Sequence, residues 1–258
     1  MQKVYTVIRK EWAEVFKNRF VLFTVAFMPL LFTAMPLIIL STGEGFGNIG
    51  DIPDEVSALC DNMGGEECMQ SFIVSQFLVF YMIMPIIIPV TIASYSIVGE
   101  KTTRTLEPVL ATPITTIELL AGKALAAVIP ALIATWGSYL AFYIGLNIIL
   151  DSPVATAALT APLWLISIFF VGPLLSIAGV SIAVMVSSRA TDPRVAEQLS
   201  ALVVLPLIFL FIGQVSGLIS LSQTTILWIT AAMIIIDAGL LYFASQIFQR
   251  ESILTRWK

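Results

Sequence analysis

The chain has 258 residues, 58% of them hydrophobic and 12% charged, with a mean hydropathy of +0.96. That composition excludes a water-soluble globular core and places the chain among all-α polytopic membrane proteins. The net charge is −4 and there is no histidine, which excludes imidazole metal sites, histidine proton relays and Ser-His catalysis.

Residues 1–19 come first. Val4, Ile8, Trp12 and Val15 or Phe16 recur at helical spacing with Val7 beside them, and Lys3, Arg9, Lys10, Glu14 and Lys17 occupy other faces. This predicts a basic amphipathic helix lying in the membrane interface. A simple topogenic flank is the alternative. Residues 20–258 then form one membrane domain with six apolar runs, at 20–40, 72–98, 121–150, 163–186, 199–221 and 226–248. Each has the ~20 residues a helix needs to cross a hydrocarbon core of ~30 Å. The first run is too long for a signal-peptide core and lacks a clear cleavage site, so it reads as a retained span.

The charges orient the bundle. Lys3, Arg9, Lys10, Lys17 and Arg19 precede the first run, and Lys101, Arg104 and Lys123 follow the second. Arg189 and Arg194 follow the fourth, and Arg250, Arg256 and Lys258 the sixth. The other connections carry no basic residue, so the positive-inside rule puts both termini in the cytoplasm. The basic face suits anionic lipid headgroups. The outer loop, 41–71, holds Glu44, Asp51, Asp54, Glu55, Asp61, Glu66 and Glu67.

Cys60 and Cys68 both fall in that loop, around a Gly64-Gly65 turn. Outside the cytoplasm a disulfide between them is expected, closing a short ring worth about 2.5 kcal/mol by loop entropy. Two free thiols are the alternative.

The connection after the second run, 99–123, is the richest segment. Leu106, Val109 and Leu110 form an apolar edge at helical spacing among charges of both signs. Thr112-Pro113 breaks that short helix, and Thr115-x-x-Glu118 is a capping box that opens the next. The spans are therefore joined by a helical elbow. The next connection of this kind pairs Asp192, a good N-cap, with Pro193 at the first helical position. It reads either as a second partner contact or as a well-capped turn.

Within the spans, proline occurs in the first five, at Pro29, Pro36, Pro85, Pro89, Pro130, Pro173 and Pro206. Asp237 is the one acid well inside a run, at a cost of about 2.5–3.5 kcal/mol on insertion scales. Such acids mark ion passage or interhelical hydrogen bonds, and both readings stand. A single intramembrane Asp cannot form an aspartyl-protease pair. No GxxxxGK[ST] occurs, so this chain has no phosphate-binding loop of its own.

The segment Glu100-Lys101…Thr105-Leu106-Glu107-Pro108-Val109-Leu110-Ala111-Thr112-Pro113…Glu118-Leu119…Gly122-Lys123 resembles the signature of ABC-2 type permeases, the membrane subunits of ATP-driven exporters. A small residue is common in that family where this chain has Arg104. The resemblance implies that Leu106, Val109 and Leu110 dock into a cytoplasmic ATPase subunit. Thr105 and Pro108 would shape the docking segment, and Glu100, Lys101, Arg104 and Glu107 would make charged contacts around it. It implies that ATP and Mg are held by that partner, so the chain carries no catalytic residue or cofactor. It also implies dimerisation with itself or a paralogue, no nucleic acid, and a multi-pass place in the cell membrane. The second and fifth spans would face the dimer axis, making Phe77, Phe80, Tyr81, Met84, Phe209, Phe211 and Gln214 pathway candidates alongside Asp237. A gradient-driven carrier or channel, and an assembly protein without transport, are the alternatives.

Overall fold

The computed structural model describes residues 2–42, 65–103, 114–149, 153–216 and 222–247. Among them every regular element is helical. We label them α1 (Gln2–Val15), α2 (Arg19–Thr42), α3 (Gly65–Tyr81), α4 (Met84–Thr102), α5 (Thr116–Ile149), α6 (Pro153–Leu159), α7 (Pro162–Ile166), α8 (Gly172–Arg189), α9 (Pro193–Ala201), α10 (Leu205–Val215) and α11 (Gln223–Ile247). Six stretches are long and apolar enough to cross a membrane: Arg19–Thr42, Glu67–Thr102, Thr116–Ile149, Pro153–Arg189, Pro193–Gln214 and Gln223–Ile247. Each overlaps one of the six apolar runs, so the chain is an all-α, six-span protein.

Proline decides where three of these spans break. Pro85, Pro173 and Pro206 each stand second in a new helix, at the starts of α4, α8 and α10. Proline has no N–H to donate back one turn, so the preceding backbone must rearrange. The solutions differ. Met82 and Ile83 form a turn between α3 and α4. Ser167–Val171 forms a π-helical turn before α8, and Leu202–Val204 a 3-10 turn before α10. Pro29, Pro36, Pro89 and Pro130 sit inside unbroken helices instead.

Both helix starts read from the sequence have their caps. The Thr115 backbone N–H donates to Glu118 Oε2 at 2.9 Å, and the Glu118 N–H donates to Thr115 Oγ1 at 3.2 Å. The Asp192 carboxylate accepts from the Arg194 N–H at 2.8 Å, with Pro193 opening α9.

α4 is the centre of the bundle and packs most extensively on α8 and α5. Small residues let α4 and α8 approach closely, as expected where lipid removes the hydrophobic drive between helices. A Cβ on Gly179 would stand 3.3 Å from both the Ile86 carbonyl oxygen and Val90 Cγ2. By contrast α2, α9–α10 and α11 bury few residues within the chain. Their apolar faces belong to the periphery.

α1 does not carry its apolar stripe where sequence periodicity puts it. The buried positions are Val7, Glu11 and Val15, whereas Trp12 is about one-third exposed and Ile8 half-buried. α1 lies against α5 and the end of α4. Its inward face is chosen by those helices and includes a carboxylate.

Candidate functional site

The reason for that carboxylate lies at the end of the bundle where α4 stops and α5 starts. Glu11, Glu100 and Lys123 come from α1, α4 and α5, and are 3%, 5% and 4% exposed. Lys123 Nζ lies 2.7 Å from Glu11 Oε1 and 2.8 Å from Glu100 Oε2. It also donates to Ser96 Oγ at 2.8 Å. Ser96 in turn donates to the second oxygen of Glu11. Lys10 completes the cluster: its ammonium pairs with the other oxygen of Glu100 and reaches Glu14 at 3.4 Å.

Two carboxylates and the Lys123 ammonium are desolvated here, bridging three helices, and the half-exposed Lys10 supplies the second positive charge from the rim. A buried ion is tolerable only when paired and hydrogen-bonded. Burial by itself would lower the pKa of Lys10, but its hydrogen bond to Glu100 and the charges of Glu100, Glu11 and Glu14 outweigh that and hold it above the ordinary lysine value. A raised pKa adds stability below the unfolded-state value and loses it as pH climbs through the folded-state one. This contact is therefore intact throughout the neutral range.

Packing reinforces the charges. Trp12 Nε1 donates to the Ala126 carbonyl at 2.9 Å. Val7 sits so close to Gly122 that a Cβ there would meet Val7 Cγ1 at 2.7 Å. Lys3 reaches Glu118 at 3.6 Å on the rim. α1 is thus clamped along its length to the first three turns of α5.

The sequence places Glu100 and Lys101 on the rim of an ATPase contact, but the structure engages both within the chain. Glu100 is buried in the cluster. Lys101 Nζ donates to the carbonyls of Ser188 and Ala190, at 3.0 and 3.1 Å. Those carbonyls end α8, so Lys101 meets the negative pole of that helix. Arg104, Thr105, Leu106, Glu107, Pro108, Val109 and Leu110 lie outside the described residues, as does Cys60. Cys68 is buried and disulfide-bonded.

The pathway candidates divide. Tyr81 and Met84 are sealed in the bundle, 0% and 1% exposed. The Tyr81 hydroxyl lies 3.2 Å from Thr33 Oγ1, and its ring stacks on Phe142. Met84 Sδ accepts from Ser138 Oγ at 3.5 Å. These two residues hold helices together. Phe77 and Phe80 are half-buried, and Phe80 meets both Phe32 and Phe211, with ring centroids 5.8 and 4.9 Å apart. The second and fifth spans therefore touch through Phe80 and Phe211. Phe209 is exposed, and Gln214 Oε1 is buried without a hydrogen bond among the described residues. Asp237 stands on the one buried stripe of α11, with Ile226 and Ala244. It is 4% exposed, and neither carboxylate oxygen has a partner among the described residues.

Sequence reading missed Glu11 and Lys123 as site residues. Lys123 read as a basic flank and as the last residue of the family signature, without a partner. Glu11 carried a detectable signal: it falls four residues after Val7 and four before Val15, in line with both.

Six spans, an amphipathic helix clamped beneath them and an acid inside the last span define a multi-pass membrane protein with no catalytic constellation among its described residues. The family model for ABC-2 family transporter proteins matches residues 5–246, and the chain belongs to that family. It is therefore the membrane component of an ABC transporter. Comparison with curated proteins gives no match.

The clamp makes a quantitative prediction. Lys123→Met leaves two buried carboxylates short of a partner, which costs about 3–5 kcal/mol. Its melting temperature in detergent should fall well below wild type. The triple variant Glu11→Gln, Glu100→Gln, Lys123→Met removes the stranded charges and should recover most of that loss. Equal melting of all three proteins would show that the cluster is not held by charge.

Proposed function

We propose that this chain is the permease subunit of an ATP-driven exporter, with both termini in the cytoplasm. It works as a dimer, with itself or a paralogue, and recruits separate ATPase subunits that bind ATP and Mg. The observation that carries this reading is the position of the clamp. Segment 104–113 joins the end of α4 to the start of α5, and the buried cluster of Glu11, Glu100 and Lys123 ties these two ends to α1. A push on that segment is thus delivered to three helices as one body. Rigid elements of this kind convert small displacements into changes between discrete packed states. The apolar face of α10, with Leu205, Phe209 and Ile212 exposed, supplies a surface for the second permease.

In this reading Leu106, Val109 and Leu110 anchor the ATPase, and Arg104 and Glu107 guide its docking. Each lost leucine anchor is worth ~2–5 kcal/mol, more than tenfold in affinity. Leu106→Ala with Leu110→Ala should keep wild-type melting yet lose ATPase co-purification and transport-linked ATP hydrolysis. Full ATPase binding by this variant would refute the coupling assignment.

On the opposite face we propose that Cys68 pairs with Cys60. Alkylation of protein taken from native membranes, read by intact mass spectrometry without reduction, should find no free thiol. Two modified cysteines would overturn the pairing.

A gradient-driven carrier is the second reading, favoured by one observation: the buried Asp237, which has no partner among the described residues. If the exporter reading holds and Asp237 only packs, Asp237→Asn keeps assembly and ATP-driven transport near wild type, since the amide retains polarity without charge. Loss of transport at normal expression and melting temperature would instead make Asp237 part of the pathway.

A further inference from the structure

We propose that a groove at the basic end of the bundle binds one anionic phospholipid. The groove has a volume of about 640 Å³ and lies where α8 ends, α9 begins and α11 ends. Its walls are apolar: Met185 and Val186 of α8, Val195 and Leu199 of α9, and Ile247 of α11. Arg189 stands at the last turn of α8 on the same groove. Its side chain is exposed and has no ion pair or hydrogen bond among the described residues.

The other charges around Arg189 are already engaged. Lys101 meets the α8 carbonyls, so Arg189 is not needed there. Asp192 caps α9. Glu197 accepts from Thr91 Oγ1 at 2.6 Å. Arg194 faces the Tyr95 hydroxyl. A guanidinium left over beside an apolar groove, at the headgroup level of a membrane protein, matches a phosphate attached to an acyl chain. The chain's own residues 248–258 follow directly from Ile247, but they carry Arg250, Arg256 and Lys258 against one acid, Glu251. That basic segment is a poor match for Arg189. The site requires only the membrane-spanning bundle and is independent of ATPase coupling.

The test is native mass spectrometry of the purified, delipidated full-length permease titrated with phosphatidylglycerol, or with phosphatidylcholine of the same chains. One phosphatidylglycerol per chain should be retained in preference to phosphatidylcholine. Arg189→Gln should cut that preference about fivefold, the worth of one basic residue at a membrane surface. Arg189→Lys should keep most of it, and Leu199→Asp should weaken both lipids by spoiling the apolar wall. Glycerol phosphate and inorganic phosphate should not displace the lipid at matched concentration. Equal retention of the two lipids by wild type, or an unchanged preference in Arg189→Gln with the same elution volume, would overturn the site. So would displacement by phosphate alone, which would make it an anion site. Lipid binding that appears only after deletion of 248–258 would assign the groove to the chain's own end.

Discussion

The rest of the structure depends on how two carboxylates and an ammonium are kept out of water. Glu11, Glu100 and Lys123 come from three helices, and each is at least nine-tenths buried. Such charges are stable only if all three helices hold their positions together, because displacing one strands the others. The cluster therefore acts less as a source of stability than as a condition on geometry. α1 must lie across the start of α5, and α4 must end beside it. Val7 against Gly122 and Trp12 against the Ala126 carbonyl are consistent with that arrangement and add the short-range fit.

The spans obey a different constraint. In a hydrocarbon solvent a backbone group without a partner is costly, so helices break only where something forces them. Proline does so at Pro85, Pro173 and Pro206, and the chain absorbs each loss with a different local turn. The breaks fall in the second, fourth and fifth spans. The first, third and sixth remain continuous. The second span also sits at the centre of the core, so its break is lined by packed side chains, with Ile83 half-buried. Tyr81 and Met84 flank it and are wholly buried. A bend held so firmly is part of the bundle's shape and not a loose joint.

Polar groups within the spans mostly solve their own problem locally. Thr24, Thr33, Thr91, Thr135, Ser181 and Thr230 all return hydrogen bonds to carbonyls one turn back. Asp237 does not: among the described residues neither of its carboxylate oxygens has a hydrogen-bond donor, and its own helix carries no cation. It stands out for that reason more than for its charge. The unpaired Arg189 is the corresponding exception outside the hydrocarbon, and it differs because water and headgroups can reach it.

By itself the sequence determined the helical class, the six spans, the starts of α5 and α9, and the segregation of basic residues to one set of connections. These follow from composition, run length, capping chemistry and charge placement, all of which are local. The family signature around 100–123 was equally legible, since it is carried by contiguous residues. What only the tertiary structure decided is which charges are used up inside the protein. Glu100 and Lys101 read as surface residues of a connection, and Glu11 as an ordinary acid of an amphipathic helix. Their partners lie between 23 and 112 residues away in the chain, so no local pattern announces them. The same holds for the buried face of α1, which turns toward Lys123 and Glu100 in place of its most apolar edge. Once the three helices have met, a buried charge left without its partner is the costly outcome, and that constraint cannot be read from any one of them.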